Sequence, residues 1–76
     1  MKITIESTDK MVELNGVQTR VWEGRTDAGV PMHCYIARVA VAEGLRGEDY
    51  EQFERELRET RKPTAEVAAI PARMIL

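Results

Sequence analysis

Cysteine, histidine, proline and aromatic residues are all scarce in this chain, with one Cys, one His, three Pro, one Trp, two Tyr and one Phe among 76 positions. Cys34 has no partner for an intrachain disulfide, so no disulfide framework supports the fold, and a lone thiol fits a reducing cytoplasm better than secretion. One His and one Cys fall short of the four-ligand set of structural zinc unless carboxylates or a second subunit contribute, so neither a metal nor a cofactor is expected. No stretch approaches the roughly 20 apolar residues of a membrane span, and Met1 to Glu6 lacks the apolar core of a signal peptide. The expected setting is the cytoplasm, with no membrane partner. An excess of basic charge is missing too: eleven basic residues stand against thirteen acidic ones, for a net charge of -2. The longest basic tract is Arg61-Lys62, which disfavours direct phosphate-backbone binding to nucleic acid.

Motifs for catalysis are equally absent. Glycines at 16, 24, 29, 44 and 47 are scattered as turn positions and form neither G-x-G-x-x-G nor a Walker loop. His33 and Cys34 suggest a base and a nucleophile, but neighbours in a strand point to opposite faces and cannot bond to each other. The acidic pairs Glu48-Asp49 and Glu54/Glu56 read as solvated helix charge. No catalytic residue is assigned, and the chain is expected not to be an enzyme.

Hydrophobic residues at 43% and charged residues at 32% are a globular composition, and 76 residues suffice for a single domain spanning 1–76. A domain of this size buries only about two-thirds of its unfolded surface, and a homodimer is a natural way to bury more. Asn15-Gly16 lies between Lys10–Leu14 and Val17–Glu23, and predicts a hairpin with a two-residue type I′ turn. Leu14 then faces Val17, Val12 faces Thr19 and Lys10 faces Val21, while Met11, Arg20 and Trp22 share the more polar opposite face. A bulge in either strand would reverse that placement beyond it. Arg25 to Gly29 reads as a second turn. Val30 to Ala42 is apolar on both alternating sets, as in a central strand or one bent by a bulge. Lys2 to Glu6 adds a half-buried strand through Ile3 and Ile5. From Glu48 to about Arg61 the period becomes 3.6, with Tyr50, Phe53 and Leu57 on one stripe, a capping box at Asp49 and Gln52, and Pro63 as the stop. Thr64 caps a short turn through Val67 and Ile70, and Arg73 to Leu76 is expected to join or cover the sheet. The fold class is α+β: an antiparallel sheet of about four strands, one amphipathic helix and an extended C-terminal tail.

Recognition rests on two features. Arg20, Trp22, Glu23, Arg25 and Asp27 gather an aromatic and arginines at one end of the first hairpin, the residue types enriched at interface hot spots; the alternative is that Trp22 packs under the C-terminal tail. The Glu-rich helix face offers carboxylates to a basic groove, a contribution weakened by the interleaved Arg55, Arg58 and Arg61. Through Val17-Gln18-Thr19-Arg20-Val21-Trp22-Glu23-Gly24 and Pro31-Met32-His33-Cys34-Tyr35 the chain resembles short bacteriophage accessory proteins of the anti-CRISPR type. The resemblance implies a small non-enzymatic inhibitor that docks on a bacterial nuclease or defence complex, a CRISPR effector among them, and blocks nucleic-acid or subunit binding. That group shares no common motif, so no residue role is carried over by position. Two other readings stand beside it. One is a phage assembly protein acting through homo-oligomerisation of Val30–Ala42 and the tail. The other is a binder of small nucleotides, using Arg20, Arg25 and His33 around a dimer cleft.

Overall fold

A computed structural model describes residues 1–69. It contains strands β1 (Ile3–Leu14), β2 (Val17–Thr26) and β3 (Pro31–Ile36), then helices α1 (Gly47–Leu57) and α2 (Ala65–Ala69). The strands form one antiparallel sheet in the order β1-β2-β3. The chain is α+β as expected, but its sheet has three strands among the described residues, and it carries a second short helix.

The first turn forms as its dipeptide dictates, Asn15 at φ 50° and Gly16 at φ 82°, the two positive values of a type I′ turn. Leu14 pairs with Val17, Val12 with Thr19 and Met11 with Arg20. The two stretches read as separate strands, Lys2–Glu6 and Lys10–Leu14, are halves of one. The register shifts between Ser7 and Met11, so that Thr8, Asp9 and Lys10 stand against the single residue Val21. Two extra residues, unlike one, leave the alternation intact. Thr8 fills the interruption: its hydroxyl donates to the Val21 carbonyl at 2.7 Å and accepts the Lys10 N–H at 3.3 Å.

The second turn closes through the Thr26 N–H donating to the Val30 carbonyl and the Gly29 N–H donating to the Thr26 carbonyl, both at 2.9 Å. Gly29 sits at φ 88° there. β3 ends at Ile36 rather than running on to Ala42, and it is an edge strand rather than a central one. Among the described residues the ladder with β2 ends at Ile36, and the chain continues toward α1.

α1 is shorter than its periodicity suggests. It begins after Arg46, whose N–H donates to the Asp49 carboxylate at 3.3 Å, so Asp49 is the third helical residue reaching back and not the cap. Gln52 instead bonds to Glu56 and Arg55. The helix stops at Leu57, before Pro63, because the next residues are taken up elsewhere. The Ser7 hydroxyl donates to the Glu59 carbonyl at 2.9 Å, the Arg61 N–H donates to Ser7 O at 3.3 Å, and the Asp9 N–H donates to Arg61 O at 2.8 Å. Residues 59–64 thus cross the outer edge of β1 at its irregular point, where Thr8 and Arg61 form a parallel bridge. α2 follows, with the Thr64 carbonyl accepting from the Ala68 N–H at 2.9 Å and its hydroxyl from Val67 at 3.5 Å, the capping role expected of Thr64. The tail Arg73–Leu76 lies outside the described residues.

The crossing divides the sheet into two unlike faces. The inner face carries Thr8, Thr19, Val21 and Glu23, all at most 5% exposed, beneath Val67 of α2. The outer face carries Ile5, Met11, Arg20, Trp22, Met32, Cys34 and Ile36; residues 37–39 and Leu57 of α1 lie beside Arg20 and Trp22, and α1 has no buried residue.

Candidate functional site

The best-built polar cluster lies on the inner face. The Glu23 carboxylate accepts from the Arg61 guanidinium, from the Thr64 N–H at 2.9 Å and from the Thr64 hydroxyl at 3.0 Å. Burial pushes the Glu23 carboxyl upward, but the hydrogen bonds from Arg61 and Thr64 outweigh it and hold the group below the ordinary glutamate range. The same bond from Glu23 raises Arg61 further. Arg61 also lies 3.9 Å from Glu6. Both Glu23 carboxylate oxygens are used within the chain, so the cluster ties the crossing segment to the sheet.

This placement removes Glu23 from the expected recognition set, because its carboxylate is 5% exposed and internally paired. Of the other four, only Arg20 and Trp22 share a face. Arg25 lies on the inner side opposite Pro31, with its guanidinium on the Gly29 carbonyl at 3.1 Å. Asp27 is an exposed turn residue whose N–H donates to Lys2 O at 2.9 Å. Arg25 and His33 are together on the inner face while Arg20 is on the outer, so a nucleotide site built from those three would need residues of a second copy, as the dimer cleft expects. His33 packs its ring edge-on to Tyr35 at 5.4 Å and lies on the face opposite Cys34.

The outer face holds the stronger arrangement. Trp22 sits on the central strand between Ser7 and Cys34, half-buried. Beside it, Arg20, Ile36, Ala37, Arg38, Val39 and Leu57 line an open depression of mixed polar and apolar surface that includes two arginines. Arg20 spends one donor on the Thr8 carbonyl at 2.8 Å. Among the described residues neither Arg20 nor Arg38 has a carboxylate within ion-pair distance. No protein-family model, curated protein or solved structure matches the chain.

The turn at Asn15-Gly16 is enough to place Met11, Arg20 and Trp22 together. Arg38, Val39 and Leu57 are not found that way: the alternation carries the first two within a strand, and the helical period makes Leu57 one member of a uniform stripe. No group of three His, Cys, Asp or Glu side chains suited to a metal occurs among the described residues.

Proposed function

We propose that the chain is a non-enzymatic binding protein that acts through the outer sheet face, as a phage-encoded inhibitor docking on a bacterial nuclease or defence complex. One observation carries the reading: Trp22 lies half-buried on the outer sheet face, beside two arginines that have no carboxylate within ion-pair distance among the described residues. An aromatic anchor flanked by guanidinium groups suits a protein surface bearing acidic side chains, and desolvation of such a contact concentrates binding energy in few residues. The anti-CRISPR resemblance supplies the class of partner.

The test is a pull-down from nuclease-treated bacterial lysate, comparing wild type with the Arg20→Ala, Trp22→Ala double variant after circular dichroism shows that both fold. Retention of a defence complex by the wild type, weakened at least tenfold in the variant, is the expected result. Equal retention by both would move the contact to another surface, and recovery of the protein alone would favour self-assembly.

A further inference from the structure

We propose that the outer edge of β3 joins two copies of this chain, pairing antiparallel about Cys34 to make one six-stranded sheet. The inference concerns a strand edge and does not depend on the function proposed for the Trp22 face.

The backbone pattern shows which groups are on offer. Because Thr26 donates to Val30 at the turn, the antiparallel alternation makes Gly24/Met32, Trp22/Cys34 and Arg20/Ile36 the hydrogen-bonded pairs. Pro31, His33 and Tyr35 occupy the alternate positions, with their backbone groups directed away from β2. Pro31 fits there because its nitrogen has no proton to leave unpaired. His33 and Tyr35 each direct one N–H and one C=O outward, and no strand pairs with them among the described residues.

The two sheet edges are protected differently. β1 carries Glu6, Asp9, Lys10 and Glu13 and is crossed by residues 59–64. β3 has no Asp, Glu, Lys or Arg from end to end, and among the described residues its leading proline is the one charge-free device on that edge.

A second copy matches this edge by symmetry. A two-fold axis normal to the sheet keeps inner and outer faces aligned, so each residue must oppose one of its own parity. With Cys34 opposite Cys34, the His33 N–H donates to Tyr35 O of the second copy and the Tyr35 N–H donates to its His33 O. The axis repeats both bonds, and all the outward groups of His33 and Tyr35 are satisfied. Shifting the register toward Pro31 leaves the Tyr35 carbonyl without a donor, and shifting it the other way requires Ala37, which is outside the strand. On the outer face Met32 then meets Ile36 of the second copy, an apolar pair.

The exposed area leaves room for association. A monomer of 8.6 kDa is expected to expose about 4,700 Å², and this chain exposes 6222 Å². The surplus of roughly 1,500 Å² exceeds the ~800 Å² per partner of a standard interface. The joined sheet would place the two Trp22 residues three strand spacings apart, about 14 Å.

Sedimentation equilibrium of the full chain, combined with air oxidation in the presence of copper–phenanthroline, tests the proposal. The expected mass is twice 8.6 kDa. Cys34 should cross-link rapidly, because directly opposed residues at a non-hydrogen-bonded pair have Cα atoms about 4.5 Å apart. In a Cys34→Ser, Met32→Cys variant, the two cysteines are about four residue steps, ~14 Å, from each other and should cross-link at least tenfold more slowly. Tyr35→Pro removes an outward N–H without touching the β2 ladder and should give a folded monomer; if it does not fold, Cys34→Lys sets two like charges against each other and should do the same. A dimer that cross-links equally well through position 32 overturns the register and with it the proposal. A monomer at 100 µM also overturns it; hydrogen exchange at His33 and Tyr35 then identifies the occupant, protection pointing to the chain's own C-terminal residues and rapid exchange to a foreign strand.

Discussion

Glu23 is the residue on which most of the inner face depends. Its side chain is 6% exposed, whereas that of Arg61 is 39% exposed, so the arginine reaches in from solvent to a carboxylate that cannot reach out. Removing the arginine leaves a buried anion held only by Thr64. Arg61→Ala is therefore expected to cost about 2–3 kcal/mol, short of the full value for a completely buried pair because water screens Arg61. In a domain of this size that lowers the midpoint of thermal unfolding by roughly 10–20 °C. The direction of the Glu23 shift sets the pH dependence. A carboxyl held below its unfolded value contributes stability that is present above that value and is lost as pH falls through the folded one. Stability from this pair should be level above about pH 5 and decline progressively below the ordinary glutamate value of about 4.3. Thermal melts from pH 7 to pH 3 should show this decline in the wild type and a shallower one in Glu23→Gln, which no longer has the carboxylate to protonate.

At the scale of elements, the close approach of β1 to β2 depends on Gly24. A Cβ there would collide with the Thr4 carbonyl oxygen and come within 2.8 Å of the Ile5 Cα, both backbone atoms that cannot swing aside. Gly24→Ala is expected to destabilise by about 3 kcal/mol, at the upper end for overpacking. Gly47 is the internal control: a Cβ at the start of α1 meets nothing within 4 Å, so Gly47→Ala should stabilise by roughly 0.5 kcal/mol. Urea titrations of the two variants measure both effects.

These elements were unevenly legible in the sequence. The Asn15-Gly16 hairpin could be read with its register because turn and alternation are local, and the grouping of Arg20 with Trp22 came with it. Ser7-Thr8-Asp9-Lys10 reads as a break between strands, and becomes one irregular strand only because Arg61 and Glu59 bond to it from more than fifty positions away. The same long-range contact explains why α1 ends at Leu57 although its periodicity continues to Arg61. Glu23 appeared surface-bound for a similar reason: nothing near it in the chain announces the guanidinium that buries it.

The whole molecule is extended for its length. Its radius of gyration is 14.0 Å, against about 11.4 Å for a compact domain of 76 residues. Val21 and Val67 are the only buried hydrophobic residues among those described, while Ile3, Met11, Val39 and Leu57 are each at least 40% exposed. The edge proposed for self-pairing and the Trp22 face proposed for a partner are adjacent, so a dimer would present two copies of the docking face on one surface.

The segment that crosses β1 also bears on the order of events in folding. Both hairpins join neighbouring stretches of chain, whereas the clamp joins Glu23 to Arg61, 38 positions apart. Closing the longer loop costs more chain entropy, so the clamp is expected late on the route, after the main barrier. Stopped-flow measurements should find that Arg61→Ala leaves the refolding rate within about twofold of wild type and accelerates unfolding by most of the lost stability, roughly thirtyfold or more. The crossing segment would then act as a latch, governing how long the folded protein persists rather than how quickly it arises.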